Sequence, residues 1–143
     1  MWQGHPEKRL VAWADLRNSC KENPNLGEVI TIIHNWWQQA PMVLRYLHCD
    51  LIEDWPDPWD LIAENTYCGL AKCLGMCYTI CMLERQDVDN VCILEVDNND
   101  YIVQVNNGLY LLNWNVNKIV NMKLEEIEIT RNIDSAVFAH KIR

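Results

Sequence analysis

A thiol at the head of a short helix is the sharpest chemical feature of this chain. In Thr66-Tyr67-Cys68-Gly69-Leu70-Ala71-Lys72-Cys73-Leu74-Gly75-Met76, Asn65 or Thr66 can cap a helix over 67–74, and Gly75 would end it. Cys68 then lies in the first turn, where unpaired N–H groups and the helix dipole favour a thiolate. A thiol still needs a base to take its proton. No His lies between Cys68 and His140, and His34 and His48 fall upstream. Asp97, Asp100 and Asn113 could orient a base but cannot replace one. Cys68 is therefore expected to pack under the sheet, with a catalytic role as the alternative.

The remaining candidates point away from catalysis. Cys73, Cys77 and Cys81 recur every four residues and would share a face on an uninterrupted helix. Zinc ligands instead favour knuckles with turn residues between them, so no metal is expected here, even with His48-Cys49 added. Asp87-Val88-Asp89-Asn90 and Asp97-Asn98-Asn99-Asp100 lack the glycine and terminal glutamate of a calcium loop and read as turns. The glycines are scattered singly, so no phosphate loop exists. No cofactor, metal or small-molecule substrate is predicted.

Residues 50–60, DLIEDWPDPWD, carry five acids and two Trp on a prolyl corner. Two prolines fix the backbone, Trp provides anchoring area and the acids steer a basic partner. Trp36 and Trp37 form a similar pair, because helical spacing lets only one of two neighbours face the core. The candidate partner contacts are thus Trp36, Trp37, Asp54, Trp55, Asp57, Trp59 and Asp60. The alternative is a solvated loop whose Trp side chains tuck inward.

The elements that position these residues follow from hydrophobic period. Pro6 opens a helix carrying Leu10, Val11, Ala14 and Leu16, which ends before the Asn23-Pro24-Asn25 turn. A second helix starts near Asn25, repeats Leu26, Val29, Ile30, Ile33 and Trp37 on one face, and stops at Pro41. Residues 42–52 read as a short helix, and Pro58 opens another through Glu64 with Asp57 as its cap. After Gly75 the period shortens. Strands are expected at 77–83, 91–96, 101–105, 109–114 and 124–130, with a hairpin at Asn106-Asn107-Gly108. Ser135 onward is a helical turn or a strand. Helices first and a meander afterwards predict an α+β fold, the helices on one face of an antiparallel sheet.

The chain has 143 residues and a formal charge of −8, one domain of ordinary size with a helical half (1–75) and a β half (76–143). Acidity of this size disfavours direct nucleic-acid binding, since phosphate is repelled. No apolar run approaches the ~20 residues of a membrane span, and the opening residues lack a basic-then-apolar leader. The seven cysteines are an odd number, which together with that missing leader favours reduced, buried thiols.

Two resemblances sharpen these expectations. Cys68, Ala71, Leu74, Gly75 and Met76, leading into strands, resemble the Cys-bearing helix of the transglutaminase-like and papain-like superfamily over residues 60–115. The Cys-to-Ala spacing is one residue short, a turn is missing before Leu74, and the family's His has no counterpart. Trp36-Trp37-x-x-Ala40-Pro41, then Trp55-Pro56-Asp57-Pro58-Trp59-x-Leu61-Ile62, then Tyr67-Cys68-x-x-Ala71 and Leu74-Gly75-Met76-x-Tyr78-Thr79, look like small uncharacterised proteins of tailed bacteriophages. The strand Tyr110-x-Leu112-Asn113-Trp114 looks similar to theirs too. The resemblance implies a structural or assembly protein of the phage particle (tail, baseplate or neck), found in the virion or the host cytoplasm and bound to other protein subunits. The alternatives are a Cys68-centred enzyme and an acidic inhibitor of a host nucleic-acid-binding protein.

Overall fold

A computed structural model describes residues 2, 4–96, 100–115, 118–120 and 128–142. Helix α1 spans Pro6–Glu22 and turns Arg9, Trp13 and Cys20 inward. Helix α2, Leu26–Gln38, is capped by Asn25, whose side chain accepts from the Glu28 N–H at 3.1 Å. Helix α3, Pro58–Glu64, starts as expected, with Asp57 Oδ1 accepting from the Asp60 N–H at 2.8 Å. Asp57 thus satisfies one of the donors a helix start leaves open.

Helix α4, Gly69–Leu83, replaces both the short helix ending at Gly75 and the strand expected over 77–83. Residues 70–80 are buried without exception, so α4 is the central rod of the molecule. An all-round buried helix carries no amphipathic stripe, and its Tyr78-Thr79-Ile80 run imitates a strand. Gly75 is there for space: a Cβ would fall 2.5 Å from Trp37 Cζ2. Tertiary packing, not a left-handed turn, selects the glycine.

The second correction is the helix expected over 42–52. The chain instead runs extended from Pro41, whose carbonyl accepts from the Tyr67 N–H at 2.8 Å, while the Val43 N–H donates to Tyr67 O at 3.0 Å. Only Ile52–Asp54 coils, as a single 3₁₀ turn. Pairing with the strap before α4 takes the backbone groups that a helix would have used.

Strands β1 (Val91–Val96), β2 (Asp100–Val105), β3 (Tyr110–Asn115), β4 (Lys118–Val120) and β5 (Ile129–Asp134) form one antiparallel sheet in the order β4-β3-β2-β1-β5. Strands β1 to β3 are those expected at 91–96, 101–105 and 109–114, β4 continues their meander where no strand is expected, and β5 returns to the free edge of β1. The hairpin between β2 and β3 holds Asn106, Asn107 and Gly108 at φ 55, 57 and 94°, a region that Asn and Gly tolerate best. The turn residues 97–99 lie outside the described residues, as do 124–127 of the strand expected at 124–130. The tail forms two 3₁₀ turns, Ser135–Val137 and Ala139–Ile142.

Alternation sorts the strands' two faces. Val91, Ile93, Val103, Val105 and Leu112 join the helical core, whereas Cys92, Leu94, Val96, Ile102 and Leu111 form a separate buried cluster. The architecture is α+β, with α4 packed on the strands.

Candidate functional site

Cys68 is the N-cap of α4, one position before the first turn, and is 2% exposed. The three histidines that could have served it go elsewhere. His34 is buried in α2, where its Nδ1 accepts from the Asn113 N–H at 3.1 Å. His48 and His140 are exposed, the first in the loop before the 3₁₀ turn and the second in the last turn of the chain.

A different cysteine meets the orienting residue. Asn113 sits in β3 with φ 64°, and its amide donates to Cys73 Sγ at 3.2 Å and to Tyr101 O at 2.9 Å. Gln38 Nε2 donates to Asn113 Oδ1 at 2.5 Å. Cys73, His34, Asn113 and Gln38 thus tie α2 and α4 to β3. Burial pushes the Cys73 thiol up to about 12, and burial likewise raises Cys77 well above its ordinary value. A sealed, neutral thiol cannot attack a carbonyl. With an aromatic disulfide reagent on the native protein, Cys73 and Cys77 are expected to label only at the rate of global unfolding. Peptide mass spectrometry over a time course checks this; immediate labelling of Cys73 would show an open cleft.

Cys73, Cys77 and Cys81 do share one uninterrupted helix, the arrangement set aside when Gly75 was read as a break. Among the described residues no group of three or more His, Cys, Asp or Glu side chains is placed to hold a metal. His48-Cys49 lies apart, with the Cys49 thiol donating to Glu95 Oε2 at 3.6 Å. Of the other orienting candidates, Asp100 is the exposed first residue of β2, and Asp97 lies outside the described residues.

Glu95 clasps the loop to the sheet. Thr130 Oγ1 donates to its Oε1 at 2.8 Å and the Tyr101 hydroxyl to its Oε2 at 2.9 Å. The Thr130 hydrogen bond, followed by those of Tyr101 and Cys49 and the charge of Arg131, holds the Glu95 carboxyl below its ordinary range despite burial. Beside it, Arg131 pairs with Asp50 at 2.7 Å.

What this clasp holds in place is an outward-facing surface. Two of the residues expected there are core instead. Trp37 is fully enclosed, and Trp55 is 3% exposed, its indole donating to His48 O at 2.9 Å and its ring 5.6 Å from Phe138. A partner can reach neither, so both are withdrawn as contacts. Trp36 is half-buried, with its ring centroid 4.5 Å from Trp2. Trp59 remains outside at 42% exposure, with Asp54 and Asp60 exposed and Asp57 half-buried as the cap of α3.

The surface also contains residues that the expected helix had hidden. Met42, Val43, Leu44, Tyr46 and Leu51 are exposed, and Leu44 reaches 92%. The signal available in the sequence was the apolar run Pro41-Met42-Val43-Leu44 preceding a prolyl corner. Below them opens a cleft of about 310 Å³. Leu47, Trp55 and Pro56 supply its apolar wall; Tyr46, His48, Leu51, Asp54 and Glu64 complete its lining. The Tyr46 hydroxyl donates to Glu64 Oε2 at 2.7 Å and reaches Thr66 O at 3.0 Å. Burial pushes both the Tyr46 phenol and the Glu64 carboxyl up, the latter helped by the charge of Asp60 and opposed by the Tyr46 hydrogen bond.

No protein-family model, curated protein or solved structure matches this chain. Function has to be read from the surface chemistry. Among the described residues, no helix is long and apolar enough to cross a membrane. The same loop that exposes apolar side chains is anchored at both ends, by the Pro41–Tyr67 pairing and by the contacts of Cys49 and Asp50 with the sheet. A loop backbone held in this way has less freedom to lose on association.

Proposed function

We propose that this chain is a non-enzymatic structural or assembly protein that acts by docking on other protein subunits. The resemblance of its Trp-rich segments to tailed-bacteriophage proteins supports a role in a phage particle, in the tail, baseplate or neck. The docking face is the surface of residues 42–60. One observation carries this reading: Leu44, at 92% exposure, stands with Met42 outside the core on the anchored loop, and Leu51 and Trp59 are exposed farther along the same stretch of chain. Grouped exposed apolar side chains mark contact surfaces more often than isolated ones do. Acids at Asp54, Asp57 and Asp60 form the polar rim that such surfaces carry and favour a basic counterpart.

Leu44→Asp tests the reading, because a substitution at so exposed a position should change folding stability by no more than about 0.5 kcal/mol. Wild-type chain is expected in purified particles or their assembly intermediates by quantitative mass spectrometry. The variant should be depleted at least about tenfold, the consequence of losing roughly 1.4 kcal/mol of contact energy. Equal incorporation of the two, or absence of the wild type from both particles and intermediates, overturns the reading.

A further inference from the structure

We propose that the cleft between the 46–56 loop and the end of α3 receives the guanidinium group of an arginine side chain presented by the docking partner. The inference rests on the docking reading and deepens it by naming what the cleft beside that surface accepts. At about 310 Å³ the cleft is at the lower limit for ligand sites, about 300–1,000 Å³, which suits one inserted side chain. Its floor is preformed. Trp55 is held by its hydrogen bond to His48 O and by Phe138, so the ring does not have to order when something binds.

Charge decides the class of occupant. Asp54 ends the 3₁₀ turn on one side, and Glu64 ends α3 on the other. Two ion pairs form among the described residues, Arg85–Asp87 and Arg131–Asp50, and neither involves these carboxylates. Lys141, on the terminal turn, directs its Nζ to the Glu53 carbonyl at 3.4 Å instead. Tyr46 occupies one Glu64 oxygen, Oε2. A cleft with apolar walls and two carboxylates that have no ion-pair partner among the described residues attracts a cation, and those walls strengthen the attraction. Arginine fits better than lysine: its planar fork can serve two acceptors at once and lie against the accessible Leu51 and Pro56, whereas an ammonium group is compact and strongly hydrated. Leu51 belongs to both the cleft and the exposed set, so an arginine seated here would come from a partner already lying on the docking face.

The test uses N-acetyl-arginine methylamide, its lysine counterpart and its neutral isostere from citrulline, each titrated into the full chain while the Trp55 indole N–H is followed by NMR. The arginine compound should give a saturable shift, the lysine compound should bind several-fold more weakly, and the citrulline compound should not bind. Asp54→Asn and Glu64→Gln should each weaken arginine binding about tenfold, with dispersed spectra showing that the variants are folded. Equal binding of citrulline, unchanged affinity in both variants, or no saturation at tens of millimolar overturns the proposal. Leu44→Asp separates the two claims. If the arginine compound fails to bind while Leu44→Asp still removes the chain from particles, the cleft assignment falls and the docking face stands. If the compound binds as expected while Leu44→Asp incorporates normally, the cleft stands and the docking face falls.

Discussion

Replacing Thr79 with Val is expected to cost about 2–4 kcal/mol of folding stability, more than the loss of any single exposed contact. The Thr79 hydroxyl is the acceptor for two buried indoles, Trp13 Nε1 at 2.9 Å and Trp37 Nε1 at 3.0 Å, and donates to Gly75 O at 2.7 Å. Valine has nearly the same shape and opens no cavity, so the effect is polar. Two N–H donors enclosed in the core would lose their acceptor, each at about 1–3 kcal/mol, partly offset because a hydroxyl no longer has to be desolvated. Thr79→Ser keeps the oxygen and removes a methyl group, at about 1 kcal/mol. Urea unfolding followed by circular dichroism and by Trp fluorescence measures both variants. A Thr79→Val midpoint equal to wild type would show that the indoles do not depend on this oxygen.

The second large effect is expected at Arg9, a 3%-exposed cation that no carboxylate pairs among the described residues. Its Nε donates to Ile62 O and its Nη2 to Ala63 O, both at 2.9 Å, and Nη1 donates to Gly4 O. Ile62 and Ala63 carry carbonyls that the end of α3 leaves without helical partners. Arg9 is therefore the C-terminal cap of α3, supplied from α1, and its charge lies at the negative end of that helix. Arg9→Met fills similar volume but strands those carbonyls, at a cost of about 2–3 kcal/mol. Arg9→Lys should fall between the two, because an ammonium group lacks the fork that reaches both carbonyls. Hydrogen exchange localises the effect: amide protection in α3 should fall in Arg9→Met before that of β1 and β2. Uniform loss, or none, would contradict the capping role.

These two residues show how unevenly the structure could be read in advance. Arg9 looks like any surface arginine in sequence, because the Ile62 and Ala63 carbonyls it caps lie more than fifty positions away. Thr79, inside a run of Tyr and Ile, argued for a strand. By contrast, Asp57 is legible as a cap and the helix start near Asn25 is legible too, because a cap and its helix are neighbours in the chain. The Asn106-Asn107-Gly108 hairpin was legible for the same reason: those residue types tolerate positive φ wherever they occur. Of the candidate contacts, Trp59, Asp54 and Asp60 lie at the surface. Trp37 and Trp55 are buried, and their burial depends on Gly75 in one case and Phe138 in the other, both distant in sequence.

Local chemistry was enough to determine α1, α2 and α3, strands β1 to β3, the α+β order of the halves and the acidity of the 50–60 corner, because each depends on interactions spanning only a few residues. The tertiary structure alone decided that α4 runs unbroken through Gly75, that residues 42–51 are not helical, that Asn113 meets Cys73 instead of Cys68, and that an acidic cleft opens beside Trp55. Those outcomes arise where segments far apart in the chain compete for the same backbone groups and the same buried space, and periodicity along a single segment carries no record of that competition.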